Sequence, residues 1–123
     1  METTRLGRTN LKVTRTAFGV LPLQRTEKTE AVRILWRAFD AGITFYDTAR
    51  GYTDSEEKVG AALSGVRSRI VIATKSTATS RDGVLKDIDT SLSWLKTDYI
   101  DILQLHNPGV LPDPADPHAS YAG

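Results

Sequence analysis

The apolar residues of this 123-residue chain recur with two different spacings. One is the three-to-four-residue spacing of an α-helix face, and it predicts a helix from 27 to 41. Its buried stripe would consist of Ala31, Ile34, Leu35, Ala38 and Phe39. The other pattern is a short apolar run, typical of a buried strand. Three such runs end on a titratable residue, namely Asp47, Lys75 and His106.

The two patterns alternate along the chain after a short hairpin, which is predicted at 5–14 around a polar turn. Strands are then expected at 16–19, 43–47, 70–74 and 99–105, with helices at 27–41, from Asp54 to Gly65 and from Ser80 to Leu95. Thr26 or Thr29 is expected to cap the first helix, Asp54 the second and Ser80 the third. Gly42 is expected to end the first helix in a left-handed conformation. Strands that alternate with amphipathic helices indicate βαβ units, and therefore an α/β protein with a parallel sheet.

The composition changes after His106. Four of the five prolines lie between 107 and 117, which predicts a loop in place of a further helix. We therefore expect one domain with a hairpin at 1–15, βα units at 16–106, and a proline-rich loop and truncated end at 107–123.

Charge and composition exclude several classes of function. The chain has 16 Lys and Arg against 15 Asp and Glu, and the basic residues are scattered, so we expect neither nucleic acid nor a membrane surface as a partner. It has no cysteine, and its histidines and carboxylates lack metal-ligand spacing, so no metal is expected. The polar N-terminus does not resemble a signal peptide, and the cytoplasm is the expected location.

The polar strand ends are expected to share one edge of the sheet. Functional groups in parallel α/β proteins gather at the carboxyl ends of the strands. Neighbouring strands lie about 4.8 Å apart, which places Asp47 and His106 roughly 10 Å from each other on either side of Lys75. Tyr52 follows on the loop after Asp47 and can fold over the same place.

These four residue types suit the reduction of a carbonyl group. An ammonium group next to a phenol lowers the pKa of the phenol and makes it a better proton donor. Lys75 would supply the ammonium, Tyr52 the proton, and Asp47 would hold Lys75. A neutral His106 would orient the substrate oxygen.

The motifs around these residues resemble the aldo-keto reductase family. The matching segments follow the family's order over nearly the whole chain: Arg5–Val13, Phe18–Gly19, Gly42–Tyr52, Asp54–Glu56, Ala73–Lys75 and Leu105–Pro108. The resemblance implies an eight-stranded (β/α)8 TIM barrel, of which this chain would supply the hairpin and roughly half. It also implies reversible reduction of aldehydes and ketones with NADPH or NADH, and it assigns the catalytic tetrad to Asp47, Tyr52, Lys75 and His106.

The resemblance further implies how the cofactor is held. Most contacts to NADP(H) would come from the second half of the barrel, beyond this chain. The groups left near the nicotinamide would be Asp47 and the backbone of Gly19, Val20 and Leu21. Because a barrel needs roughly 250 residues, we expect this half to show little turnover alone and to self-associate through its open sheet edges.

Two other functions remain open. One is a non-enzymatic truncated homologue that acts as a binding or regulatory module. The other, weaker alternative is a fragment of an unrelated (β/α) isomerase that uses Lys75 as a Schiff base.

The remaining noteworthy residues have structural interpretations. Trp36 and Trp94 are expected to pack between layers. Arg50 is interpreted as a salt-bridge partner on its loop, with the lining of the substrate mouth as the alternative. Glu56 and Glu57 are expected to be charges favoured by the helix macrodipole, and His118 is expected to be solvated.

Overall fold

The structure is a computed structural model, and it describes residues 1–109 and 115. Two short strands form the hairpin, β1 (Thr3–Arg5) and β2 (Lys12–Thr14). Four further strands follow: β3 (Phe18–Gly19), β4 (Phe45–Asp47), β5 (Val71–Ser76) and β6 (Ile102–Leu105). The helices between them are α1 (Lys28–Asp40), α2 (Ser55–Leu63) and α3 (Arg81–Leu95), with 3-10 turns at Leu21–Arg25 and Ser64–Arg69. His118 and most of the proline-rich segment lie outside the described residues.

Strands β3 to β6 form one parallel sheet in chain order. Gly19 lies opposite Asp47, Asp47 opposite Ala73, and Lys75 opposite Gln104. Because each strand pairs with the next one along the chain, all four carboxyl ends meet at one edge. The predicted α/β class, with an N-terminal hairpin and a parallel sheet, is confirmed.

The apolar core lies between this sheet and the helices. Ala31, Leu35 and Ala38 of the predicted α1 stripe are buried, and the other two members pack partly buried against the core. Tyr46 and Ile72 project from the sheet into the same cluster. Within the described residues, no helix is both long enough and apolar enough to span a membrane.

Two helix ends form as predicted. Gly42 follows α1 with a φ of +97°, a backbone conformation that favours glycine. At the start of α3, the Ser80 hydroxyl accepts a hydrogen bond of 3.2 Å from the Gly83 amide, which satisfies one of the free donors of the first turn.

The predicted caps of the other two helices are wrong. Helix α1 begins after Glu27 rather than at a threonine, and Glu27 makes no side-chain cap. Asp54 does precede α2, but its carboxylate accepts a hydrogen bond from Lys58 rather than from the helix backbone. This bond lowers the pKa of Asp54. The ion pair has replaced the cap.

The last strand begins at Ile102 rather than at 99 because the residues before it bind Arg67. The Arg67 guanidinium donates to the Tyr99 carbonyl at 2.9 Å and to the Asp101 carboxylate at 2.8 Å. The Asp101 carboxylate also accepts a hydrogen bond from the Ile72 amide. This ion pair therefore joins β5 to the chain that leads into β6.

The spacing of apolar residues predicts that Leu85, Ile88, Leu92 and Leu95 form the buried face of α3, but parts of α3 and β6 are less buried than this. Leu95 is buried, but Leu85 is 46% exposed and Leu103 is 41% exposed. The expectation that Trp36 and Trp94 pack between layers is wrong, because both are more than one third exposed.

Helix α2 crosses α3 at Gly60 with almost no space between the two backbones. A Cβ atom at position 60 would lie 2.8 Å from the carbonyl carbon of Leu95 and would also clash with the carbonyl oxygen of Trp94. These are backbone atoms, so a side chain there can be accommodated only if the helices separate.

Gly60→Ala is expected to lower the free energy of unfolding by about 1–3 kcal/mol through overpacking, although alanine favours an ordinary helix by about 1 kcal/mol. Gly65→Ala is the control, because a Cβ atom there meets no heavy atom within 4 Å. Urea unfolding of both variants tests this, and equal stabilities would contradict the close crossing.

Tyr46 is a buried phenol whose ionisation is coupled to folding. Burial, and to a smaller extent the Asp40 carboxylate, raises the pKa of Tyr46 to about 12, while its hydroxyl donates to the Ile43 carbonyl at 2.8 Å. The unfolded chain has a phenol pKa of about 10. The stability linked to this proton is therefore fully present below about pH 10 and is lost as the pH rises toward 12.

Tyr46→Phe is expected to remove this loss of stability at alkaline pH. Urea unfolding at a series of alkaline pH values should show the unsubstituted chain losing stability relative to Tyr46→Phe between about pH 10 and pH 12. A difference between the two proteins that stays constant with pH would contradict the coupling.

Candidate active site

Asp47 and Lys75 form an ion pair at the carboxyl edge of the sheet. The Lys75 Nζ donates to the Asp47 carboxylate at 2.6 Å and to the Thr48 carbonyl at 2.7 Å. Both side chains come from the ends of neighbouring strands, β4 and β5. The carboxylate and the carbonyl fix the position of the Lys75 ammonium.

Tyr52 and His106 lie against this ion pair. The Tyr52 and His106 rings meet edge to face with their centroids 5.4 Å apart. The Lys75 Nζ lies 5.1 Å from the centroid of the Tyr52 ring. The structure thus brings Asp47, Tyr52, Lys75 and His106 together in one cluster, as expected from the strand ends.

The loop between β4 and α2 holds Tyr52 in place through its backbone. The Tyr52 amide donates to the Ala49 carbonyl at 3.1 Å, and the Tyr52 carbonyl accepts from the Ser55 amide at 2.8 Å. The Arg50 amide donates to the Lys75 carbonyl at 2.9 Å. The loop therefore continues the pairing of β4 with β5 past the end of β4.

His106 follows β6 and borders open space. Its amide donates to the Ser76 carbonyl at 2.8 Å. Within the part of the chain that the structure describes, the buried Nδ1 of His106 has no hydrogen-bond partner. A groove of about 270 Å³ adjoins this residue, lined by 76–79 and 105–109.

The residues expected near a nicotinamide lie beside Asp47. The Val20 amide donates to the Asp47 carbonyl at 2.9 Å, while the Val20 side chain belongs to the apolar core. A Cβ atom at Gly19 would meet no heavy atom within 4 Å, and Leu21 is exposed. A ligand can thus approach the backbone at the end of β3, whereas the Val20 side chain is inaccessible.

Arg50 is a salt-bridge partner, as interpreted, and its partner is Glu56. The Arg50 guanidinium also lies 4.1 Å from the centroid of the Trp94 ring on α3. Arg50 is therefore directed toward the helices rather than toward a substrate mouth. Glu57 remains at the surface and pairs with Lys28.

Glu56 stands in the first turn of α2, as expected for a charge favoured by the helix macrodipole, but it is fully buried. Its Oε1 accepts hydrogen bonds from the Thr74 and Ser91 hydroxyls, each at 2.6 Å. The sequence does contain a signal for this burial, since Glu56 stands three and seven residues before Val59 and Leu63 and so shares their helix face.

Lys58 is a second buried charge on α2 that sequence reasoning missed. Its Nζ donates to the Leu23 carbonyl at 2.7 Å and to the Asp54 carboxylate at 2.9 Å. Leu23 lies in the 3-10 turn that follows β3. Lys58 therefore ties the segment after β3 to the start of α2.

The fold and the cluster define a class of protein: a βα-repeat protein with acid-base side chains at the carboxyl edge of a parallel sheet. The family model described as "Aldo/keto reductase family" matches residues 15–115. The chain belongs to the aldo-keto reductase family, which is a family of oxidoreductases.

Known members of the family are similar to this chain both in sequence and in structure. The chain is 34% identical over 129 residues to the 6-dehydroglucose reductase of Novosphingobium aromaticivorans, covering 89% of this chain and 42% of the relative. The holo form of an aldo-keto reductase from Bacillus halodurans superposes with a TM-score of 0.82 at 35% identity, covering 86% of this chain and 40% of that one.

An aldo-keto reductase from Klebsiella pneumoniae, solved in complex with NADPH, gives a TM-score of 0.74 at 31% identity, covering 82% of this chain and 38% of that one. These solved neighbours are TIM barrels, and the chain spans about 40% of the length of the relatives it matches. The expectation of a partial barrel is confirmed.

Ser91→Ala is expected to lower the free energy of unfolding by about 1.5–3 kcal/mol, because it removes a hydrogen bond to a buried carboxylate. Thr90→Ala is the matched control, since the Thr90 hydroxyl donates to the Lys86 carbonyl on the exposed side of the same helix. Chemical unfolding of both variants gives the comparison. An equal loss in both would contradict the assignment of Ser91 to the buried charge.

Proposed function

We propose that this chain is the N-terminal part of an NADPH-dependent reductase of aldehydes and ketones. The contact cluster of Asp47, Tyr52, Lys75 and His106 at the carboxyl edge carries this proposal. In the reaction a hydride adds to the carbonyl carbon, the carbonyl oxygen takes a proton from Tyr52, and the product is an alcohol.

Each side chain of the cluster has a separate task. Tyr52 donates the proton, and the Lys75 ammonium stabilises the phenolate that remains. Asp47 and the Thr48 carbonyl hold Lys75 in place. His106, packed edge-on against the Tyr52 ring, orients the substrate oxygen. The bonds to Asp47 and the Thr48 carbonyl occupy the Lys75 Nζ, the atom that Schiff-base chemistry would need free to attack a carbonyl carbon.

The nicotinamide would lie over the ends of β3 and β4. Asp47 and the backbone of Gly19, Val20 and Leu21 would contact it there, and the open space at Gly19 supports this assignment. NADPH supplies the hydride. The relative from Klebsiella pneumoniae solved with NADPH supports this choice of cofactor. Most other cofactor contacts would come from parts of the barrel beyond this chain.

We further propose that residues 1–123 belong to a single barrel domain that acts on small carbonyl compounds in the cytoplasm. Among the described residues, β3 and β6 each pair with only one neighbouring strand of the parallel sheet. Their free edges and the exposed leucines near β6 would favour self-association of the isolated chain. Little or no turnover is expected from the chain alone.

A chimera tests this function. In the Bacillus halodurans reductase, residues 1–109 of this chain would replace the corresponding segment. NADPH-dependent reduction of an aromatic aldehyde is expected from the chimera, and Tyr52→Phe should lower kcat about 10²–10⁴-fold. Tyr99→Phe, which keeps the ring and removes a hydroxyl that donates to the Arg67 carbonyl away from the cluster, should leave the rate unchanged.

The isolated chain provides the second arm of this test. Light scattering during an NADPH titration should show assembly that depends on the nucleotide. A homogeneous oligomer whose size does not change with NADPH, together with an inactive chimera, would favour the non-enzymatic binding module. A monomeric isolated chain with an ordinary enzymatic rate would contradict the need for the rest of the barrel.

A further inference from the structure

Glu56 is a buried ionic side chain that the proposed reaction does not use. A carboxylate is buried in a protein only where charged or polar partners replace its water. Glu56 has such partners from three elements: Thr74 of β5, Ser91 of α3 and Arg50 of the loop after β4. These donors leave neither oxygen of the carboxylate unpaired.

Two of the three partners of Glu56 lie next to members of the tetrad in the sequence. Thr74 directly precedes Lys75 on β5. Arg50 is separated from Tyr52 by a single glycine, Gly51, and its amide donates to the Lys75 carbonyl. The Glu56 carboxylate thus binds β5 and the Tyr52 loop from the helix side of the sheet, opposite the side on which Lys75 meets Asp47.

The ion pair between Arg50 and Glu56 is important for Tyr52 because only a glycine separates Arg50 from Tyr52. Gly51 adds no side chain that could anchor the loop. A Cβ atom there would make ordinary contacts with Thr77 Cγ2 at 3.6 Å and with His106 Nδ1 at 3.9 Å. Arg50 is therefore the last side chain that anchors the loop before Tyr52, and it acts together with the backbone hydrogen bonds of Tyr52. Its guanidinium is held between Glu56 and the Trp94 ring.

We propose that Glu56 is a positioning residue for Tyr52. Its ion pair with Arg50 fixes the loop against β5, so that the Tyr52 ring stays next to Lys75 and His106. The consequence for catalysis rests on the proposed function, whereas the positioning itself is a property of the folded chain.

Asp101 provides a matched control. It is also a carboxylate paired with a buried arginine, Arg67, at 2.8 Å. This pair lies at the amino ends of β5 and β6, away from the Tyr52 loop. Glu56→Gln and Asp101→Asn are the same chemical change, from carboxylate to amide, so a general loss of stability affects both variants.

The experiment is ¹⁹F NMR of the chain labelled with 3-fluorotyrosine. The chain contains four tyrosines, and Tyr-to-Phe substitutions assign their resonances. In Glu56→Gln the Tyr52 resonance is expected to move toward the position of free 3-fluorotyrosine, while the Tyr46 resonance stays in place. In Asp101→Asn the Tyr52 resonance is expected to stay, and the Tyr99 resonance to move.

Three results would overturn the proposal. The Tyr52 resonance could fail to move in Glu56→Gln, or it could move equally in Asp101→Asn. It could also lie at the position of free 3-fluorotyrosine already in the unsubstituted chain. If circular dichroism shows that Glu56→Gln does not fold, Arg50→Gln/Glu56→Gln replaces it, because this pair leaves no charge buried alone. The same movement is expected there, and its absence also overturns the proposal.

The position of the Tyr52 resonance can be measured without enzymatic turnover. A moved Tyr52 resonance together with an inactive chimera would support the positioning role and contradict the proposed function. In an active chimera, Glu56→Gln is expected to lower kcat while KM stays unchanged, since Glu56 does not line the groove beside His106.

Discussion

The parallel pairing of β4 with β5 is the constraint on which the rest of the site depends. It places Asp47 level with Ala73, so that the long side chain of Lys75, two residues further along, reaches back to the Asp47 carboxylate. The loop after β4 extends the same pairing through the Arg50 amide and the Lys75 carbonyl. A shift of one residue in this register would turn Lys75 toward the helices and Thr74 toward the site, because side chains alternate between the two faces of a strand.

The sequence predicted the features that depend on local periodicity. The order of strands and helices, the left-handed Gly42 and the Ser80 cap follow from residues close together in the chain. The assembly of Asp47, Tyr52, Lys75 and His106 was also predictable, since parallel strands in chain order bring their carboxyl ends together.

Features that depend on distant partners were not predictable from local patterns. The cap expected of Asp54 gave way to an ion pair with Lys58, which also donates to the Leu23 carbonyl, 35 residues away. The strand expected at 99 starts later because Arg67 binds the Tyr99 carbonyl and Asp101 first. The partners of the buried Glu56 were not predictable for the same reason. The helix spacing puts Glu56 on the same face as Val59 and Leu63, but a sequence reading cannot place Thr74 and Ser91 beside it.

The buried charge of Glu56 also limits how this protein can fold. Its hydroxyl donors stand 18 and 35 residues further along the chain. A nascent chain that ends before Ser91 would have to leave the carboxylate partly unpaired or keep it in water. Docking of α2 onto the sheet is therefore coupled to the folding of β5 and α3. These elements fold as one cooperative unit, rather than as βα units that are added one at a time.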